Sequence, residues 1–409
     1  MKLEVSVCAG VMAAMVSFSA GAEQPAAEPP PSTPVEVSQS QVSTAEVSQD
    51  APTREVHIPV SLSILPGLST NGFSSGNVVN NLSIGLLATH AGRVEGTALA
   101  LVGNWVDREM GGAELAVGVN YAGQVKGTQM AVGVNVARGS MRGWQAAAGA
   151  NVAAGEMRGA QFSSGVNIAS GASRGLQATA GLNVAPDLVG MQLSSGLSIA
   201  GRLEGAQLSI VNVGGDVSGA QVGIVNVARR MKGLQLGLVN VAVEADGANI
   251  GLLSLVGNGQ HHVQAWGSDL GMANVALKLG GQYFHTLLTV GLRPEYNHQQ
   301  RLWAAGLGLG GHIPVGPFFV DLDALASSLH EGQFISDSQH LLAQLRLVAG
   351  FQPFKHFAVF GGVTANTLIS FNGEPLKGMD RWGLGRVFTS DSDDVRVQTW
   401  PGLVAGIQI

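Results

Sequence analysis

One phrase decides how this chain folds, Gly127-Thr-Gln129-Met-Ala-Val-Gly-Val-Asn135-Val-Ala137, because the chain keeps returning to it. It reads again as Gly159-Ala-Gln161-Phe-Ser-Ser-Gly-Val-Asn167-Ile-Ala169 and as Gly233-Leu-Gln235-Leu-Gly-Leu-Val-Asn240-Val-Ala242. A glutamine marks each copy: Gln129, Gln145, Gln161, Gln177, Gln192, Gln207, Gln221 and Gln235. An asparagine follows in most, at Asn135, Asn151, Asn167, Asn183, Asn212, Asn226 and Asn240. The interval is 16 residues from Gln129 to Gln145 and 14 from Gln221 to Gln235. Degenerate copies at Asn81, Ala98 and Glu114 come before, and Asn249 after, so the array spans residues 81–256. A fixed short period means one small unit stacked many times.

Inside a copy the residues alternate. Met130, Val132, Val134 and Val136 share one face, and Gln129, Ala131, Gly133, Asn135 and Ala137 the other. Period two with β-branched residues is a strand pattern. Charges such as Arg138, Arg142, Glu156, Arg158 and Arg174 fall between the phrases, so each unit is strand plus polar turn. Two architectures fit. In a parallel β-solenoid each copy is one coil, and stacked Gln and Asn form amide ladders. Gln177 is then expected between Gln161 and Gln192, and Asn183 between Asn167 and Ser198, about 4.8 Å from coil to coil. Alternatively the copies are additional strands of one large membrane barrel. The drift in period favours the solenoid. Six residues separate Gln129 from Asn135 but five separate Gln235 from Asn240. Losing one residue inside a straight strand turns every later side chain to the other face, whereas a coil corner absorbs the loss.

Residues 1–22 read as a secretory signal, with Lys2, an apolar run from Val5 to Phe18 and the small-residue site Ala20-Gly21-Ala22. The one cysteine, Cys8, lies within it, so the processed chain has no thiol for a disulfide or a metal. Residues 23–53, rich in Pro, Glu and Ser, read as a disordered linker. Residues 54–80 hold a first strand, from Glu55 to Leu65, and a loop.

From 257 to 409 the motif is gone and eight strand-like runs follow, at 262–269, 272–280, 283–293, 302–312, 318–328, 341–352, 356–369 and 400–409. Short links alternate with the longer stretches 294–301, 329–340 and 370–399, as the two rims of an outer-membrane-type barrel require. Phe318, Val320, Leu322, Ala324 and Ala326 form an apolar face, with Asp321 and Asp323 opposite; Leu345 and Leu347 likewise oppose Arg346. Symmetric pairing of these two runs sets Asp323 across from Arg346, an inward charge pair. The expected fold is therefore all-β: a C-terminal antiparallel barrel preceded by tandem β-repeats.

The Gly-x-Gln-Leu-Gly-Leu-Val-Asn-Val-Ala phrase resembles that of the leptospiral-type surface-repeat proteins, also met in other Gram-negative bacteria, over the whole array. That resemblance implies export to the outer membrane or cell surface and supplies no catalytic residues. The final run Leu403–Ile409 is also similar to the closing strand of outer-membrane barrels, with Ile409 in place of the usual aromatic residue.

Motifs that could carry chemistry have plainer readings. Gly306-Leu-Gly-Leu-Gly-Gly311 fits G-x-G-x-x-G but lacks the helix and acidic residue of a dinucleotide site. His261-His262 point opposite ways on a strand, and Asp391-Ser-Asp-Asp394 lacks calcium-loop spacing. Ser327, Ser328, His330 and His340 cluster without a spacing that demands a nucleophile and base. A net charge of −6 excludes a basic nucleic-acid footprint. The expectation is a non-enzymatic outer-membrane or cell-surface repeat protein with a structural, adhesive or shielding role, needing no cofactor. Its partners would be outer-membrane lipid and a host or cell-surface macromolecule. The other reading is a porin-like channel with the repeats as barrel strands.

Overall fold

The computed structural model describes residues 55–294, 301–334, 338, 340–354, 356–371, 376, 383–389 and 395–409. The expected signal segment, the linker, Cys8 and Asp391–Asp394 lie outside these residues. What is described is all-β: a parallel solenoid of about twelve coils followed by a closed eight-stranded antiparallel barrel.

Between copies every strand pairing is parallel, with like residues in register. Gln129 pairs with Gln145, then Gln161, Gln177 and Gln192. Asn135 pairs with Asn151, Asn167 and Asn183. In the shorter coils Gln221, Gln235 and Asn249 are in register, as are Asn212, Asn226, Asn240 and Ser254. This register removes the alternative in which the repeats are antiparallel strands of a large barrel. Two sequence expectations need correction. Val60–Leu65 and Val78–Gly85 pair in parallel within the same sheet, so residues read as a separate first strand open the solenoid. And Ser83, not Asn81, stands in register with Ala98, because an irregularity between Asn80 and Leu82 shifts the frame.

The coil is inside out. Gln129 and Asn135 are 0 % exposed, whereas Val132 is 59 % exposed on the outer side. A coil of so few residues encloses only a thin core, here a row of Met141, Met157 and their counterparts beside Ala137, Ala153 and Ala169. Amides can occupy the remaining inner positions because each meets its copy one coil away. The glycine two residues before each glutamine is set by the same stacking. Gly159 has φ 137°, and a Cβ there would collide with the carbonyl oxygen of Gly143 in the coil before.

The barrel strands are β1 (Gln260–Ser268), β2 (Ala273–Gly280), β3 (Phe284–Arg293), β4 (Leu302–Val315), β5 (Phe318–Glu331), β6 (His340–Phe354), β7 (Phe357–Ser370) and β8 (Arg396–Gln408). All neighbours are antiparallel, and β1 with β8 closes the circle, Gln264 facing Gln408. A short strand, Arg386–Thr389, adds to β8 beyond the end of β1. Every strand turns an exposed apolar residue outward: Val263, Leu277, Val290, Leu309, Leu322, Leu347, Val363 and Leu403. One rim carries tight links, such as 316–317 between β4 and β5, and a ring of exposed aromatics including Phe318, Phe351, Phe354 and Phe357. The other carries the longer stretches 294–301 and 371–395. The outer face of the barrel is thus an apolar band edged by aromatic residues. No helix among the described residues is long and apolar enough to cross a membrane.

The solenoid joins at the tight-link rim, where β1 begins. Its last coil lies against the outside of β2 and β3. Leu279 and Thr286 face each other on that outer wall yet are buried, and the Thr286 hydroxyl donates to the Gly251 carbonyl. His261 Nε2 sits 2.6 Å from the Val256 carbonyl oxygen, fixing the turn between the two parts.

Candidate functional site: the charge cluster inside the barrel

Alternation along β5 points Asp321 and Asp323 into the lumen, and neighbouring strands bring their partners. Lys278 Nζ from β2 donates to Asp321 Oδ2 at 2.6 Å, and His312 Nδ1 from β4 lies 2.6 Å from Asp321 Oδ1. Arg346 from β6 stands across from Asp323 in the ladder, as symmetric pairing predicts, and its Nε donates to Oδ2 at 2.8 Å. His285 Nε2 from β3 is 2.7 Å from the other oxygen of Asp323. Arg346 also donates to Gln264 Oε1 at 3.0 Å, and Gln264 in turn to Gln408 Oε1 at 3.0 Å, across the closing seam. Trp266 underlies the guanidinium, 4.7 Å from ring centroid to Cζ.

The glycine-rich strand makes room for this cluster. Gly306, Gly308 and Gly310 on β4 face inward, and a Cβ at Gly310 would run into Asp323 Oδ1 and His285 Nε2. So the G-x-G-x-x-G match is a strand that keeps the lumen wide beside β5, with no helix after it.

Lys278, Arg346, Asp321 and Asp323 are all buried, two cations against two anions. Such a group holds only when each charge is paired and hydrogen-bonded. His285, Asp321 and Asp323 offer ligand atoms within 4.8 Å of one another, a possible cation set. Yet both carboxylates already touch an ammonium or a guanidinium, so a divalent ion would add charge to a neutral group. Towards the long-loop rim an apolar layer of Leu302, Leu329, Leu342, Leu368 and Trp400 continues the filling. The lumen of an eight-stranded barrel is just wide enough for side chains to fill it. Here they do so as a polar plug under an apolar one.

The other candidates separate. Ser328 Oγ and His330 Nε2 lie 3.0 Å apart, but the same hydroxyl donates to the Ala305 carbonyl. Ser327 is buried on the opposite, inward face, and His340 pairs with Ser370 at 2.8 Å. The backbone N–H groups around Ser328 are engaged in the β4–β5–β6 ladder and form no oxyanion cradle.

In the solenoid the ladder residues stand where the phrase puts them. Gln145 donates to Gln129, Gln161 to Gln145, Gln177 to Gln161 and Gln192 to Gln177, at 2.7–2.8 Å. Gln207, Gln221 and Gln235 continue it at 2.8 Å. The asparagines donate the other way along the rod, Asn135 to Asn151, Asn151 to Asn167 and Asn167 to Asn183, at 2.9–3.0 Å. That ladder breaks where the coils shorten. Asn183 is 3.5 Å from Ser198, Ser198 turns to Ser209 at 2.6 Å, and Asn212 Oδ1 is left without a partner. It resumes from Asn212 to Asn226 and Asn240 at 2.8 Å. At the other end Glu114 occupies a glutamine position, fully buried, and accepts from Gln129 at 2.6 Å. Burial pushes its carboxyl up to about 8, against the weaker pull of that hydrogen bond.

Lys278, His285, His312 and Gln264 were not anticipated as members of the cluster. The signal for Lys278 was present: it alternates with the outward Val275 and Leu277, so its ammonium must point inward. No protein-family model matches this chain, no curated protein matches it, and no solved structure matches its fold.

Proposed function

We propose that this is a non-enzymatic outer-membrane protein in which a sealed barrel anchors a rigid repeat rod used for contact. The observation that carries this reading is the filled lumen: a compensated ion network and an apolar layer inside a wall that is apolar outside. A channel needs an open, hydrated path, and the repeats that would have widened the barrel are coils. The purified protein in a planar bilayer is expected to show no stepwise conductance. Discrete, voltage-independent openings would overturn the anchor in favour of a pore.

The rod leaves from the tight-link rim. In bacterial outer-membrane barrels short turns face the periplasm and long loops the exterior, which favours a periplasmic rod over one on the cell surface. A membrane-impermeant maleimide should label Gln333→Cys, on the long-loop rim, in intact cells. It should label Arg174→Cys in the solenoid only after the outer membrane is permeabilised. Equal labelling of both in intact cells would put the rod outside.

A further inference from the structure

Besides its thin core, the solenoid carries many apolar residues on the outside, most of them along one edge. From the glutamine position to the end of the short strand that follows, each coil from Gln129 onward has no charged residue, as in 145–153, 177–185 and 221–228. All charge falls on the opposite corner, in stretches such as 138–142, 154–158 and 229–232. The rod is therefore amphipathic along its length, roughly 55 Å at one strand spacing per coil. Exposed Leu86, Leu101, Val132, Ile210, Leu238 and Leu252 mark its apolar edge. Over the first coils this edge is hollowed. Small Ala146 and Ala148, between Met130 and Phe162, help form an open apolar groove of about 1120 Å³.

The edge does not stop at the end of the rod. Ile250 of the last coil lines one recess together with the outward Leu309, Leu322, Ala324 and Leu345 of the barrel wall. The apolar edge of the solenoid thus runs into the band that faces lipid on the barrel. An amphipathic element with one wholly uncharged side settles at a membrane interface, apolar side towards the acyl chains.

We propose that the apolar edge of the solenoid lies in the membrane leaflet at the tight-link rim, with acyl chains filling its groove and the charged corner facing water. This rests on the membrane-barrel reading above. The occupant is lipid because the edge is continuous with the lipid-facing wall, and because the edge carries no charged residue while the charges gather at the opposite corner.

Nitroxide spin labels decide it. In the full-length chain carrying Cys8→Ser, labels go to Val132→Cys and Leu238→Cys on the edge, Arg174→Cys on the charged corner and Val363→Cys on the barrel wall. All four positions are exposed, so the labels leave packing intact. The protein is reconstituted into phosphatidylethanolamine–phosphatidylglycerol vesicles, and collision with oxygen, which concentrates in lipid, is compared with collision with a water-soluble nickel chelate. Positions 132, 238 and 363 are expected to favour oxygen several-fold over 174. If 363 favours oxygen while 132 and 238 behave like 174, the edge faces water; this inference fails and the barrel reading survives. If 363 also favours nickel, both fail. Shielding of 132 and 238 from both reagents, with dipolar broadening between labels, would put a second copy of the chain on the edge and overturn lipid as its occupant.

Discussion

Replacing Arg346 by alanine should destabilise the barrel by about 3–5 kcal/mol, the scale for breaking one member out of a buried ion pair. The guanidinium donates to Asp323 and to Gln264 and covers Trp266, so its loss leaves the carboxylate with the His285 imidazole alone. It also opens a cavity beside Phe360. Removing Asp323 as well takes away the stranded charge. The double variant Asp323→Ala with Arg346→Ala should therefore lose less than the sum of the two single losses. The check is thermal unfolding of the barrel in detergent for all four proteins of the cycle. Strictly additive losses would show that the two groups act independently, whatever their distance.

The second large effect concerns the end of the glutamine ladder and depends on pH. Glu114 has a folded pKa of about 8 against 4.5 for an ordinary glutamate, because its carboxylate would be desolvated in the coil interior. A raised acid pKa means that the folded chain keeps a proton which the unfolded chain releases. Stability from this group is full below pH 4.5, falls as pH rises towards 8, and levels off above. Glu114→Gln keeps the shape, offers Gln129 an acceptor and has nothing to ionise. Its advantage should be small at pH 4.5 and grow to roughly 3–5 kcal/mol by pH 8. Trp105, in the coil before Glu114 and stacked at 4.2 Å on Tyr121 of Glu114's own coil, is a fluorescent reporter for unfolding of this part of the rod. Parallel stability–pH curves for the variant and the parent would remove Glu114 as the cause.

What the amino-acid order made legible depended on periodicity. The amides of Gln129 and Asn135 recur at positions that face their own copies, so the order of residues carries the coil and its register together. The barrel strands were readable because each alternates, and Asp323 could be set against Arg346 by symmetry about one loop. The rest was not local. Lys278 reaches Asp321, and His285 reaches Asp323, from strands that are not consecutive in the chain with the one that carries these carboxylates. The alternation of Val132 with Gln129 showed two faces without saying which was inside. Ordinary burial preferences would have put the valine there. Only the narrowness of the coil, and the ability of amides to satisfy one another along the stack, reverses the choice. Asn81 was misplaced for a smaller reason, a bulge in the first coil that no period reveals.

Like-on-like register also makes the rod a ruler. Each coil touches mainly the one before and the one after, so stability is close to a sum over coils and their interfaces. Inserting or deleting a whole copy, 16 residues such as 143–158, preserves every ladder and changes the reach by about one strand spacing, 4.8 Å. The end held by Thr286 is unaffected. Half a copy, by contrast, would set amides against alanines. Tandem duplication in the gene thus has a mechanical meaning: length is adjustable in whole steps, while the attachment stays constant.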